Sequence, residues 1–137
     1  MARKIVIDTG PCVALFDNSD AHHNEALKFI QSFRGEMITS RTVVTEVMFL
    51  LEFRLGAQQG FLNWLELGQV SLVEPEDYQR VSELMAKYSD LPMDFADGVL
   101  VALCEQLEIK HIATLDSDFS IYRYKGRGNF INVMSQV

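Results

Sequence analysis

Cations are scarce in this chain: 12 lysines and arginines face 19 aspartates and glutamates, leaving a net charge of −7 over 137 residues. That balance excludes a protein that grips nucleic acid through a general basic surface, because the polyanion would be repelled. Any phosphate chemistry must run through a metal ion or a local basic patch. Cysteine is nearly absent as well. Cys12 and Cys104 form no CxxC pair and sit among apolar residues. This argues against a disulfide framework or a zinc site, and for packed, reduced thiols in a cytoplasmic protein. No apolar run approaches a membrane span. Ile5-Val6-Ile7, directly after Met1 to Lys4, is too short for a signal-peptide core, so neither a membrane protein nor an exported one is expected. Repeats, low-complexity tracts and Pro/Gly-rich linkers are missing too, which leaves a single domain over residues 1–137.

What the chain does have is an apolar fraction of 48%, too high for a disordered segment, arranged as short apolar runs alternating with helical patterns. Ile5 to Ile7 reads as a buried strand that stops at Asp8-Thr9-Gly10, followed by a short helix from Pro11 to Phe16. A helix over His22 to Phe33 has Asp20 as its N-cap and Ala26, Leu27, Ile30 and Phe33 as its inner stripe. Met37-Ile38 makes a second strand, Thr42 to Arg54 a strong helix, and Phe61 to Leu65 the heart of another that ends near Gly68. Val70 to Val73 reads as a third strand, and Pro75 opens a helix through Val81, Leu84, Met85 and Tyr88. Pro92 starts the helix that carries the apolar run Val99 to Cys104, and strands follow at Ile112 to Thr114 and Phe130 to Val133. Strands alternating with helices predict an α/β fold: a three-layer sandwich with a five-stranded parallel sheet and helices on both faces.

In an open parallel sheet, ligands bind outside the carboxyl ends of the strands, where the following helices begin. The acids fall at that edge. Asp8 ends the first strand, Glu46 lies in the first turns of the helix after the second, and Asp116 and Asp118 follow the fourth. Asp94 and Asp97 stand at the mouth of the helix that feeds the fourth strand. Asp94 also suits a first helical turn, where the macrodipole favours an acid. Asp97 shares a face with Leu100, Val101 and Cys104, and a bare carboxylate buried there needs a cation. Clustered carboxylates without His or Cys fit Mg²⁺ or Mn²⁺, and the matching chemistry is metal-assisted phosphodiester hydrolysis. No Ser-His-Asp set and no GxxxxGK loop competes with this reading.

These residues also carry a resemblance. "IVIDTGPCVALFD", "FDNSDAHHNEA", "TEVMFLL", "MDFADGVLVALCEQL" and "IATLDSDF", in that order, resemble the PIN domain family and within it the VapC-type ribonuclease toxins. The resemblance implies an acidic set of Asp8, Glu46, Asp97 and Asp116. Asp94 is a further metal neighbour, and Thr9, Thr114 and Asp118 are accessories. It further implies an Mg²⁺- or Mn²⁺-dependent endoribonuclease acting on RNA, homodimers, and inhibition by a cognate antitoxin. A housekeeping PIN nuclease or a non-cleaving PIN scaffold that binds RNA or a protein shares these motifs.

The best local basic patch, "YRYKGRGNF", follows Asp118 directly. Arg123, Lys125 and Arg127 there are candidates to hold phosphates beside the metal site, with Tyr122 or Tyr124 stacking on a base and Arg41 helping, unless the segment is an ordinary solvated loop. His22, His23 and His111 read as surface or structural residues. Phe49, Leu50, Phe53, Leu55, Phe61, Leu62 and Trp64 offer more apolar surface than a small sheet needs; any excess is a candidate dimer face or antitoxin groove.

Overall fold

A computed structural model describes residues 3–91 and 93–136. In chain order the first half runs β1 (Lys4–Ile7), α1 (Thr9–Phe16), α2 (His23–Ser32), β2 (Glu36–Thr39), α3 (Arg41–Leu50), α4 (Leu55–Glu66) and β3 (Val70–Leu72). The second half runs α5 (Tyr78–Lys87), α6 (Phe95–Leu107), β4 (His111–Ala113), a 3₁₀ turn at Ser117–Ser120, β5 (Arg123–Tyr124), β6 (Gly128–Asn129), β7 (Ile131–Asn132) and a closing 3₁₀ turn at Val133–Gln136.

Five strands form one parallel sheet in the order β3-β2-β1-β4-β7. Successive residues of a strand face opposite sides, so the complete burial of Ile5, Val6 and Ile7 means that both faces of β1 are covered. Helix α6 is the core's main pillar. Its residues Ala96 to Cys104 are all buried. Gly98 lets α5 come close, since a Cβ there would stand 3.2 Å from Val81 Cγ1 and 3.3 Å from Met85 Cγ.

Several helix starts are set by side chains that accept an otherwise orphaned N–H. Ser40 caps α3 through Val43 N, Asp77 caps α5 through Gln79 N, and Asp94 caps α6 through Asp97 N. The sequence reading misplaced some of these boundaries. Asp20 accepts from His22 N and closes the turn before α2, whose start has no side-chain cap. Helix α3 stops at Leu50 instead of running to Arg54, because the backbone turns at Leu51 to Phe53. The helix expected from Pro75 begins at Tyr78, where Asp77 supplies the cap that proline cannot. Pro92, the expected start of α6, lies outside the described residues.

The basic stretch after Asp118 is neither an open loop nor a long strand. Strands β5 and β6 pair antiparallel, Arg123 with Asn129 and Tyr124 with Gly128. Lys125 and Gly126 take φ of 50° and 76°, and Arg127 N donates to Tyr124 O at 3.1 Å, which is a type I′ hairpin turn.

Candidate metal centre

The strand order reverses direction at β1: the chain builds outward through β2 and β3 on one side, then returns to place β4 on the other. A crevice opens at such a switch point, outside the carboxyl ends of the strands. Asp8 ends β1 at this point and Thr114 follows β4. Backbone pairing continues between them, with Asp8 N donating to Ala113 O at 2.9 Å. One carboxylate oxygen each of Asp8, Asp97 and Asp116 converge here, all within 4.8 Å of one another. Three oxygens bound to one Mg²⁺ at about 2.1 Å lie no more than about 4.2 Å apart. Small rotations of these side chains therefore suffice for them to hold one ion.

Each ligand is held by its surroundings. Asp8 is buried; Oδ1 accepts from Thr9 N at 2.8 Å and Oδ2 from the Thr114 hydroxyl at 2.8 Å. Thr114 in turn accepts from Asp116 N at 3.0 Å through the same hydroxyl, so one threonine orients two of the three acids. Asp116 Oδ1 accepts from Asp118 N at 2.9 Å, which rigidifies the loop behind it. Asp97 Oδ2 accepts from the Tyr122 hydroxyl at 3.0 Å. Glu46 stands one hydrogen bond away, its Oε1 accepting from the Thr9 hydroxyl at 2.6 Å.

The electrostatics carry the need for a cation. Burial pushes the Asp8 carboxyl up to about 6, with the charges of Asp116 and Glu46 adding to it and the Thr114 and Thr9 hydrogen bonds opposing. Asp97 is pushed up to about 7, again mainly by burial, then by Asp94, Asp8 and Asp116, against the Tyr122 hydrogen bond. The neighbouring charge of Asp116 also raises Asp118 above the ordinary carboxylate range. Among the described residues no lysine or arginine forms an ion pair with Asp8, Asp97 or Asp116. An all-oxygen donor set of like charge, without a protein counterion, suits a hard divalent cation.

The other site residues expected from the sequence divide. Asp94 is the helix cap of α6 and lies outside the converging group. Arg41 opens α3 at the carboxyl edge of β2, well exposed and 3.7 Å from Glu74. The hairpin cations are not arranged as expected. Arg123 is spent on its own backbone, its guanidinium donating to the carbonyls of Ser120, Ile121 and Tyr122. Lys125 bonds Glu105 through its N–H and pairs with Glu108, both at the C-terminal end of α6, whereas Asp97 is at the N-terminal end. Eight residues of helix, about 12 Å, separate Asp97 from Glu105. Lys125 therefore does not sit beside the acids, and the type I′ turn keeps exposed Arg127 at the same hairpin tip. Tyr122 is fully buried against Tyr88 and Phe119 and cannot stack on a base, and Tyr124 is buried under Lys110 and Lys125. The histidines are structural or peripheral: His23 Nδ1 meets Ala14 O, and His22 meets Glu25.

Sequence reasoning missed two supports. Tyr122 was read as a stacking ring, yet it fixes Asp97. Asn132 brackets the Thr114 backbone, accepting from its N–H at 3.3 Å and donating to its carbonyl at 3.0 Å. A lone asparagine inside the apolar "FINV" run was the available signal.

Residues 5–124 match the family model described as PIN domain. The chain belongs to the PIN domain family. This PIN domain is 29% identical over 131 residues to Ribonuclease VapC26 of Mycobacterium tuberculosis, covering 92% of this chain and 97% of that protein. Its fold is similar to the crystal structure of Mycobacterium tuberculosis VapC20, described as a Sarcin-Ricin loop cleaving toxin. The TM-score is 0.77 at 23% identity, over 85% of this chain and 93% of that one. A toxin-antitoxin complex from Klebsiella pneumoniae is also similar in fold, with a TM-score of 0.59 at 17% identity over 82% and 87% of the two chains. The acids that this PIN domain gathers at its switch point come from four separate segments, and the shared fold is what brings them to one edge.

Proposed function

We propose that this PIN domain is a divalent-metal-dependent endoribonuclease and the toxin of a toxin–antitoxin pair, working in the cytoplasm. The observation that carries the reading is the convergence of Asp8, Asp97 and Asp116 at the switch point, with no lysine or arginine among the described residues paired to them. The names of the similar ribonuclease and toxin proteins support RNA as the substrate.

Asp8, Asp97 and Asp116 would hold Mg²⁺ or Mn²⁺; when bound, the ion supplies an acidified water and a positive charge for the phosphate. The rest is done by the chain. Thr114 aims Asp8 and the Asp116 backbone together, and Tyr122 holds Asp97 against rotation. Glu46, fixed by Thr9, is positioned to take a proton from an attacking water. Arg41, exposed at the same edge and paired with Glu74, is a cation that would exchange that partner for a substrate phosphate. Asp94 and Asp118 keep the rim negative, which raises affinity for the cation.

A partner surface fits the antitoxin part of the reading. Phe49, Leu50, Phe53, Leu55 and Leu62, on α3, the turn after it and α4, are exposed by 42–66%. Exposed apolar side chains concentrated on one helical hairpin mark an interface for an amphipathic partner segment or a second copy. Both cysteines are buried and free, which is compatible with a reducing compartment.

The deciding experiment is cleavage of RNA oligonucleotides by protein stripped of bound inhibitor, in Mn²⁺ and in EDTA, with Asp97→Asn alongside. Cleavage in Mn²⁺ that stops in EDTA and in the variant is expected. Cleavage that survives EDTA, or an Asp97→Asn protein as active as the parent, overturns the mechanism.

A further inference from the structure

Asn132 ends β7, the edge strand beside β4, and its side chain stands in for a strand residue that is not there. β4 and β7 pair in parallel only as far as Ile112 with Asn132, because the chain then turns into the 3₁₀ segment Val133–Gln136. Along a strand, the backbone groups of successive residues point to alternate sides. Ala113 turns its carbonyl toward β1, where Asp8 N donates to it at 2.9 Å. Thr114 therefore turns its own N–H and carbonyl toward the side that β7 has just left. The Asn132 amide meets both. Its Oδ1 accepts from Thr114 N at 3.3 Å and its Nδ2 donates to Thr114 O at 3.0 Å. Oδ1 also accepts from Met134 N at 3.1 Å, which ties the amide to the turn behind it. Thr114 is buried, so its backbone depends on these partners. Asparagine suits the place because it offers a donor and an acceptor side by side, as a peptide group does; aspartate offers acceptors alone and leucine neither.

We propose that Asn132 is a positioning residue of the metal centre, acting through the Thr114 hydroxyl on Asp8 and Asp116. The inference rests on the metal-dependent nuclease reading and extends it to a residue that touches none of the acids in the cluster. The hydroxyl is the link: it donates to Asp8 Oδ2 at 2.8 Å and accepts from Asp116 N at 3.0 Å. Whatever fixes the Thr114 backbone thus fixes two of the three ligand oxygens relative to each other. Packing alone does not do this. Leu115 anchors the loop to the core, but Asp116 and Ser117 line two cavities, of about 220 and 250 Å³, that also share Thr114 and Asn132 in their walls. With a hollow on each side, the loop takes its position from the hydrogen-bond chain that starts at Asn132.

The test is Mn²⁺ binding to the full chain by titration calorimetry, with RNA cleavage followed at low and at saturating Mn²⁺. Asn132→Leu keeps the bulk and loses the amide, and is expected to weaken Mn²⁺ by about tenfold. Asn132→Ala, the gentler change, should weaken it in the same direction and is read alone if the leucine variant does not fold. In both, kcat should fall at low Mn²⁺ and return to within about twofold of the parent at saturation, with KM for RNA unchanged. Two further variants separate positioning from general loosening. Val133→Ala removes buried bulk from the adjoining turn without touching these hydrogen bonds, and should lower the urea midpoint while Mn²⁺ affinity stays at the parent value. Thr114→Val with Asn132→Leu should bind Mn²⁺ no more weakly than Thr114→Val alone, because the link is already gone. Parent-like Mn²⁺ affinity in a folded Asn132 variant overturns the proposal and leaves the nuclease reading intact. So does an equal loss in Val133→Ala, or a double variant whose two losses multiply. If the parent binds Mn²⁺ in an Asn132-dependent way but cuts no RNA, the nuclease reading fails and the positioning role stands; a parent that binds no Mn²⁺ overturns both.

Discussion

Without a metal ion, Asp97 should be a liability to the folded chain, and replacing it should stabilise the apoprotein. The carboxyl moves from its ordinary 3.8 to about 7, for the most part because it is buried. At about 1.4 kcal/mol per pH unit, that displacement corresponds to roughly 4 kcal/mol of lost stability once the group is ionised. Solvent at the open side of the cluster reduces this to about 2 kcal/mol. The sign follows from proton counting. Between pH 4 and 7 the folded state holds the proton that the unfolded state has lost, so stability falls as pH rises and the full penalty applies above the folded pKa. Asp97→Asn removes the charge yet keeps an oxygen to accept from Tyr122. In EDTA at pH 8 the variant should therefore unfold about 6 °C above the parent, at about 3 °C per kcal/mol for a chain of this size. At pH 5 the difference should shrink to about a third, because the parent carboxyl is by then mostly protonated. Saturating Mn²⁺ should raise the parent's midpoint and leave the variant's nearly where it was. A variant less stable than the parent in EDTA at pH 8 would refute the reasoning, since it would mean that Asp97 is paid for by the protein itself.

The same acids make metal affinity pH-dependent: Mn²⁺ binding by titration calorimetry should strengthen steadily from pH 5.5 to 7.5, as Asp8 and Asp97 lose protons through about 6 and about 7. Thr114→Val deletes the hydroxyl that serves both Asp8 and Asp116 N, and should weaken Mn²⁺ by about tenfold or more while the fold, followed by circular dichroism, persists. Lys125→Asn places a residue suited to left-handed backbone at φ 50°, and should stabilise the hairpin by about 0.5–1 kcal/mol in urea unfolding with RNA cleavage unchanged. Gly98→Val should lose about 2–3 kcal/mol in the same assay, because its branches would meet Val81 and Met85 where even a Cβ is tight.

The parts legible in the sequence are those with a local physical signature. Ile5 to Ile7 could only be a buried strand, and Ala96 to Cys104 only a helix enclosed by the fold, so the sheet and its pillar followed. Asp97 announced itself by interrupting an apolar face. Asp8 and Asp116 did so by standing at strand ends. The parts that were not legible depend on tertiary partners. Lys125 and Arg127 follow Asp118 closely in sequence, but the I′ turn at Lys125-Gly126 carries the chain down α6, where Glu105 and Glu108 receive it. Tyr122 looked like a free ring because nothing local says that Tyr88 and Phe119 enclose it. Asp94 carries no such local distinction: an acid at a helix start serves as cap or as ligand, and the structure adds the tertiary detail that its Oδ1 accepts from Asp97 N.

Asp94 then acquires a different importance. By capping α6 it fixes the backbone N–H of Asp97 itself, so the residue that orients the helix also sets the position of the buried acid. Its charge meanwhile raises the Asp97 pKa, second only to burial. These effects oppose one another in the apoprotein, where the cap stabilises the helix start and the repulsion destabilises the carboxylate. A bound cation reverses the second and leaves the first, so both act in the same direction. The acids at the mouth of α6 therefore need not all be ligands to belong to one design: those that bind the ion and those that only crowd it both make the folded site favour a divalent cation over a proton.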